Sequence, residues 1–204
     1  MPEKVALMID GAFLKIKLSQ AHHRFPTAQD VTSFCSNVMQ KGPLASCQLL
    51  RIYFYDAPPY EGKVQNPLSG LTTNFAKSQK SVENTNLHRS LELQPNFAVR
   101  RGTVSFQGWK LGNAALKSIS RNPRVIVPND LVPDLKQKGV DMRIGLDIAW
   151  LATKRLVDAI ILVTGDSDFI APMKLARKEG IRIYLETMQH PVHVQLRVHA
   201  DIVL

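Results

Sequence analysis

Two carboxylates one residue apart, Asp166 and Asp168, stand directly after the apolar run Ala159 to Val163 and the pair Thr164-Gly165. Hard oxygen donors grouped in this way suit a divalent cation, and a cation held among acids points to chemistry at phosphate. The same spacing has a plainer reading. An Asp ahead of a helix commonly caps its free amides, and Asp168 is placed to do so. Capping engages only one of the acids, however, and leaves Asp166 beside a like charge, which is unfavourable without a cation or a proton. Two more junctions repeat the pattern: Asp10 closes the run from Lys4 and precedes Gly11, and Asp141 follows Lys138-Gly139-Val140, with Asp147 six residues on. At about 100° per residue, Asp147 is rotated from Asp141 by roughly a third of a turn. It reaches the same cleft only from a neighbouring angle, and a surface role fits it at least as well.

The elements that must position these acids follow from periodicity. Ala159 to Val163 reads as a buried strand, and residues 169–178 as a helix closed by Gly180. Residues 4–9 read as a second strand, with a helix after Phe13 that puts Leu14 and Leu18 on one face. Asp141 opens a helix whose apolar face holds Ile144, Ile148 and Leu151. If the strands before Asp10 and Asp166 are parallel neighbours, their ends converge and the helix at Asp141 closes a third side. That is where open α/β sheets bind ligands. Elsewhere, residues 27–41 predict a helix stopped by Gly42-Pro43, and residues 48–55 a strand. Residues 66–93 mix loop signals with polar helical stretches and read as a mobile excursion. Residues 97–107, carrying Gly102, read as a hairpin or bulged strand, with Arg100 and Arg101 on opposite faces. Residues 181–186 and 200–204 read as strands and residues 192–198 as a short helix, with more chain beyond residue 204 left open. The alternation of strand and helix predicts a doubly wound α/β sheet.

Composition bounds the rest. The 204 residues suffice for one domain spanning residues 1–204. The apolar runs fall far below the ~18 residues of a membrane span, and an acid at Asp10 comes too early for a secretory signal. Cys35 and Cys47, without ligand spacing, read as free thiols in the cytoplasm, and His22-His23 lacks zinc-site partners. The net charge is +9, and residues 100–155 alone hold 11 Lys or Arg against 4 Asp, a surplus of 7. A basic surface around an acidic cleft is the electrostatic plan for a polyanionic substrate, and nucleic acid is favoured over a merely solubilising charge. No G-x-x-x-x-G-K-[ST] or G-x-G-x-x-G occurs, which removes the common nucleotide-binding loops. A haloacid-dehalogenase-like phosphatase needs an Asp two residues after Asp10, where this chain has Ala12.

Together, Ile9-Asp10-Gly11, Lys138-Gly139-Val140-Asp141 with Asp147, and Thr164-Gly165-Asp166-Ser167-Asp168-Phe169 resemble the ordered motifs of NYN domains, in the LabA-like branch of the PIN-like nucleases. The resemblance runs from Val5 to about Glu186. It implies a PIN-like three-layer α/β/α fold with a central, mainly parallel sheet, aspartates holding Mg2+ or Mn2+, and hydrolysis of RNA phosphodiesters. Carried over by motif, Asp10, Asp141, Asp166 and Asp168 are the expected catalytic and metal-site acids, with Asp147 as a further metal ligand. Lys15, Arg101, Lys138 and Arg143 are the candidates for holding flanking phosphates. Single-stranded RNA and endonucleolytic cleavage are expected, and a homo-oligomer is left open. Two departures stand out. Phe13 occupies a position where many members have Asn, which supports a non-catalytic RNA-binding or regulatory module as the alternative. Residues 106–135 form a basic, insertion-like segment outside the common pattern.

Overall fold

A strand that is apolar at every position must be covered on both faces. The interior of β1 (Lys4–Asp10), Val5 to Ile9, meets that condition: Val5, Leu7 and Ile9 enter one core, Ala6 and Met8 the other. A computed structural model describes residues 2–204 of the chain. After β1 come α1 (Gly11–His22), α2 (Ala28–Met39) and β2 (Gln48–Asp56). Thr27 and Asp30 form a capping box that starts α2, bonding each other's backbone amides. A short antiparallel pair, β3 (Lys63–Gln65) and β4 (Thr72–Asn74), leads to α3 (Gln79–Glu92) and β5 (Phe97–Arg101). Next are β6 (Thr103–Leu111), α4 (Asn113–Arg121), β7 (Leu131–Lys138) and α5 (Val140–Thr153). The chain closes with β8 (Ala159–Val163), α6 (Ile170–Lys178), β9 (Arg182–Glu186), α7 (Val194–Val198) and β10 (Ile202–Val203).

Six strands form the central sheet in the order β10-β9-β8-β1-β2-β5, and every pairing in it is parallel. Leu14, Leu18, Val31, Cys35, Leu87 and Leu91 carry α1, α2 and α3 onto one face. Ile144, Ile148, Met173 and Leu196 carry α5, α6 and α7 onto the other. The result is a three-layer α/β/α architecture of PIN-like type. The chain begins at the centre, builds outward through β2 and β5, then returns to place β8 on the other side of β1. The strand order therefore reverses between β1 and β8. The helices that follow these two strands, α1 and α6, leave on opposite faces and open a crevice at the carboxyl ends.

Three segments depart from the sequence expectation. Residues 66–93 hold β4 and the 14-residue α3, which is anchored on the sheet by Leu87 and Leu91. Polar residues dominate α3, and two buried leucines one turn apart were too sparse a stripe to mark a packed helix. Residues 97–107 are neither a hairpin nor one bulged strand. Gly102 separates β5, in the main sheet, from β6, which pairs with β7. Tertiary pairing made that division, and alternation along the sequence could not show it. The basic segment 106–135 lies within an antiparallel arm, β6 and β7, that carries α4 at its tip. The arm is tied to β3 by a bond from Trp109 Nε1 to the Gln65 carbonyl, 3.0 Å. No helix is long and apolar enough to cross a membrane among the described residues.

Candidate active site

Asp10 is the last residue of β1, and Val163 ends β8 beside Ile9 in register. The turn after β8 thus starts next to Asp10. Gly11 makes the departure from β1 feasible, because a Cβ there would lie 2.6 Å from the Tyr55 carbonyl oxygen. Asp10 Oδ1 accepts the Phe13 amide at 3.1 Å, capping α1, while Oδ2 lies 3.4 Å from the Thr164 hydroxyl. That hydroxyl also accepts the Asp166 amide at 3.1 Å. Thr164, fully buried, therefore ties the two strand ends together, and its hydroxyl is engaged inside the protein. Asp166 Oδ1 accepts the Asp168 amide at 2.9 Å. Asp166 caps the 3-10 turn Ser167–Phe169 ahead of α6, a role the spacing assigned to Asp168. The extra turn shifts the cap by two residues and leaves Asp168 exposed.

Asp141 sits in the first turn of α5, at the same end of the sheet. Its carboxyl is pushed above the ordinary carboxylate value, first by partial burial and then by the charges of Asp166 and Asp168. The carboxyl of Asp10 is also raised. Burial is the largest cause, opposed by the Phe13 amide and reinforced by the charge of Asp141. Asp141 is thus close enough to Asp10, Asp166 and Asp168 to feel their charge. Three helix N-termini, of α1, α5 and the segment into α6, face the same end and offset part of that repulsion. Among the described residues no group of three or more acid, imidazole or thiol side chains is placed to hold a metal ion together. The donors are hard oxygens only. Such a set fits a cation of the magnesium type, which keeps several waters and needs only one or two carboxylates.

The remaining expected residues divide. Lys138 ends β7 and Arg143 lies in the first turn of α5; both are exposed and flank Asp141. Asp147 is a correction: Oδ1 and Oδ2 take Arg100 Nη2 and Nε at 2.8 and 2.9 Å, and Oδ2 also takes the Tyr55 hydroxyl at 2.9 Å. With both oxygens engaged, Asp147 braces α5 against β2 and β5 and does not join the other acids. Lys15 is another correction. Its ammonium is bonded to Asp56 and, at 2.7 Å, to Asn84 Oδ1, so no free phosphate clamp stands there. Arg101 pairs with Glu92 of α3 at 2.8 Å, while Arg100 faces α5, so the two arginines do take opposite faces.

Two groups of residues escaped the sequence. Asp56 ends β2 as Asp10 ends β1, and is bound by Lys15 and by His88 Nε2 at 2.7 Å. The strand-then-acid signal was present, but Pro58-Pro59 follows in place of a helix. The contribution of His88 from α3 had no local sign at all. The second group surrounds Phe13, whose ring packs on Gly165, where a Cβ would lie 2.9 Å from it. His190 stands 5.9 Å away ring to ring, and Lys17 Nζ is 3.0 Å from its Nδ1.

A parallel sheet with helices on both faces and its reversal at β1 and β8 defines an α/β protein of PIN-like fold. The chain belongs to the NYN domain family, whose model matches residues 4–200. In fold it is similar to a crystal structure of a protein of unknown function from Vibrio parahaemolyticus. The TM-score is 0.56 at 15% identity, over 100% of this chain and 92% of that one. No curated protein matches the chain.

Proposed function

We propose that this chain is a LabA-like, divalent-cation-dependent endoribonuclease acting on single-stranded RNA. We read residues 1–204 as one NYN domain, with the β6–β7 arm as its insertion. The observation that carries this reading is that Asp141, at the start of α5, stands within reach of the charges of Asp10, Asp166 and Asp168 where the strand order reverses. Asp10, Asp141, Asp166 and Asp168 would hold Mg2+ or Mn2+. When bound, such a cation activates water and neutralises charge at the phosphate. The chain's own residues do the positioning. Thr164 fixes Asp10 relative to the Asp166 turn, and Lys138 and Arg143 offer cations for phosphates on either side of the cut. The free thiols Cys35 and Cys47 suit a cytoplasmic setting. Asp166→Asn is the test. Manganese-dependent cleavage of single-stranded RNA should disappear while the far-ultraviolet circular dichroism stays unchanged, and undiminished cleavage would refute the site.

A second reading, a non-catalytic RNA-binding module, is favoured by Phe13 over Gly165 and by the open donor set. RNA retained on filters equally with manganese and with EDTA, and never cut, would decide for it.

A further inference from the structure

We propose that the cavity at the carboxyl end of β2 is a base pocket, receiving one nucleobase of an RNA strand whose phosphate lies over the Asp10 group. The proposal rests on the nuclease reading and names where that substrate's base goes. The cavity measures about 580 Å3, within the few hundred to one thousand Å3 typical of small-ligand sites. It adjoins the acids: Asp10 pairs with Tyr55 in register, Asp56 is the next residue, and Ala12 forms part of the wall.

The walls and floor match a base in different ways. Phe25, Pro59, Tyr60 and Phe75 supply flat apolar surface, with the Tyr60 and Phe75 rings 5.8 Å apart, edge to face. Every nucleobase has a π-face, so such surfaces bind single strands with little sequence preference. The floor supplies donors. An ammonium has three N–H groups; that of Lys15 gives one to Asp56 and one to Asn84, and a third remains. The amide of Asn84 gives one N–H to the Lys80 carbonyl at 2.8 Å and keeps another. Both residues line the cavity. Base edges carry carbonyl and ring-nitrogen acceptors that answer such donors, whereas a purely apolar ligand would leave them unpaired. The buried Lys15–Asp56–His88 network, with no claim on a phosphate of its own, then serves to hold this donor floor rigid.

The test combines a filled pocket with missing bases. Ile16 lines the cavity from α1 and is 56% exposed, so Ile16→Trp adds an indole there without entering the core. Binding of a short single-stranded RNA is measured in EDTA, with one abasic position moved along its length. For the wild-type chain, one position should weaken binding by about 5- to 150-fold, as expected for a stacked base, while its neighbours do little. In Ile16→Trp the intact RNA should weaken by a similar factor, and the sensitive position should disappear. Ser19→Trp, from the same helix face, serves if Ile16→Trp melts early. An abasic penalty identical in wild type and filled variants, or the same at every position, overturns the pocket alone, provided RNA is still cut with manganese. RNA neither bound nor cut by the wild-type chain overturns both the pocket and the nuclease reading.

Discussion

Lys15→Met tests how much of the fold's stability rests on the buried Lys15–Asp56 pair. The Lys15 side chain is 15% exposed and its partner Asp56 2%. Removing one partner from a buried ion pair costs about 3–5 kcal/mol, because the other charge is left uncompensated. His88 still bonds Asp56 at 2.7 Å, which places the expected loss near the lower end, about 3 kcal/mol. For a chain of this length each kcal/mol moves the melting point by about 2–4 °C, so a fall of about 6–12 °C is expected. Low pH supplies a second signature. Burial alone would raise the Asp56 carboxyl, but the bond from His88 and the charge and bond of Lys15 outweigh it and hold it low. A depressed acid stabilises the fold above its unfolded value, about 3.9, and that stability is lost as pH falls through the folded value. Lys15→Met should therefore flatten the acid limb of a melting-temperature profile. Asp56→Asn added to Lys15→Met should cost less than the sum of the two, since the charges leave together. A Lys15→Met protein melting within about 2 °C of wild type would refute the structural role.

Two more perturbations bear on the acids. Because the Asp141 carboxyl is raised in the folded state, its ionisation works against folding at neutral pH, and stability rises as pH falls through the folded value. Asp141→Asn should thus melt higher than wild type in EDTA and lose the magnesium-dependent rise of the wild-type chain. At a magnesium concentration 100 times its Kd that rise is worth about 2.7 kcal/mol, or about 5–11 °C; a variant that melts lower and keeps the rise contradicts the cluster. Gly165→Ala drives a methyl against Phe13 and His190 and should slow cleavage by about 10- to 100-fold through displacement of the Asp166 turn, as read from single-turnover rates.

What the sequence disclosed and what it hid have one physical cause. Asp10, Asp141, Asp166 and Asp168 were legible because each follows a strand end or opens a helix, and local pattern reports local geometry. Short apolar runs such as Val5 to Ile9 alternate with helical patterns along the chain, and that alternation marked the doubly wound α/β sheet. Asp147 was misread because its fate is decided by Arg100 and Tyr55, 47 and 92 residues away in the chain. Lys15 was misread for the same reason, since Asp56 and Asn84 reach it from β2 and α3. Charge alone could not say which basic residues are free.

That distinction changes how the surplus positive charge acts. Between residues 100 and 155, Arg100, Arg101, Lys110 and Arg124 are engaged with Asp147, Glu92, Asp134 and Asp130. Cations paired in this way brace β5, the arm and α5, and their fields largely cancel beyond a Debye length. Lys136 and Lys138 on β7, with Arg143 on α5, are exposed and remain outside the ion pairs among the described residues. They lie where the arm meets Asp141. The free cations nearest Asp141 therefore stand on β7 and α5, and β7 also lends Leu135 and Gln137 to the wall of the base pocket.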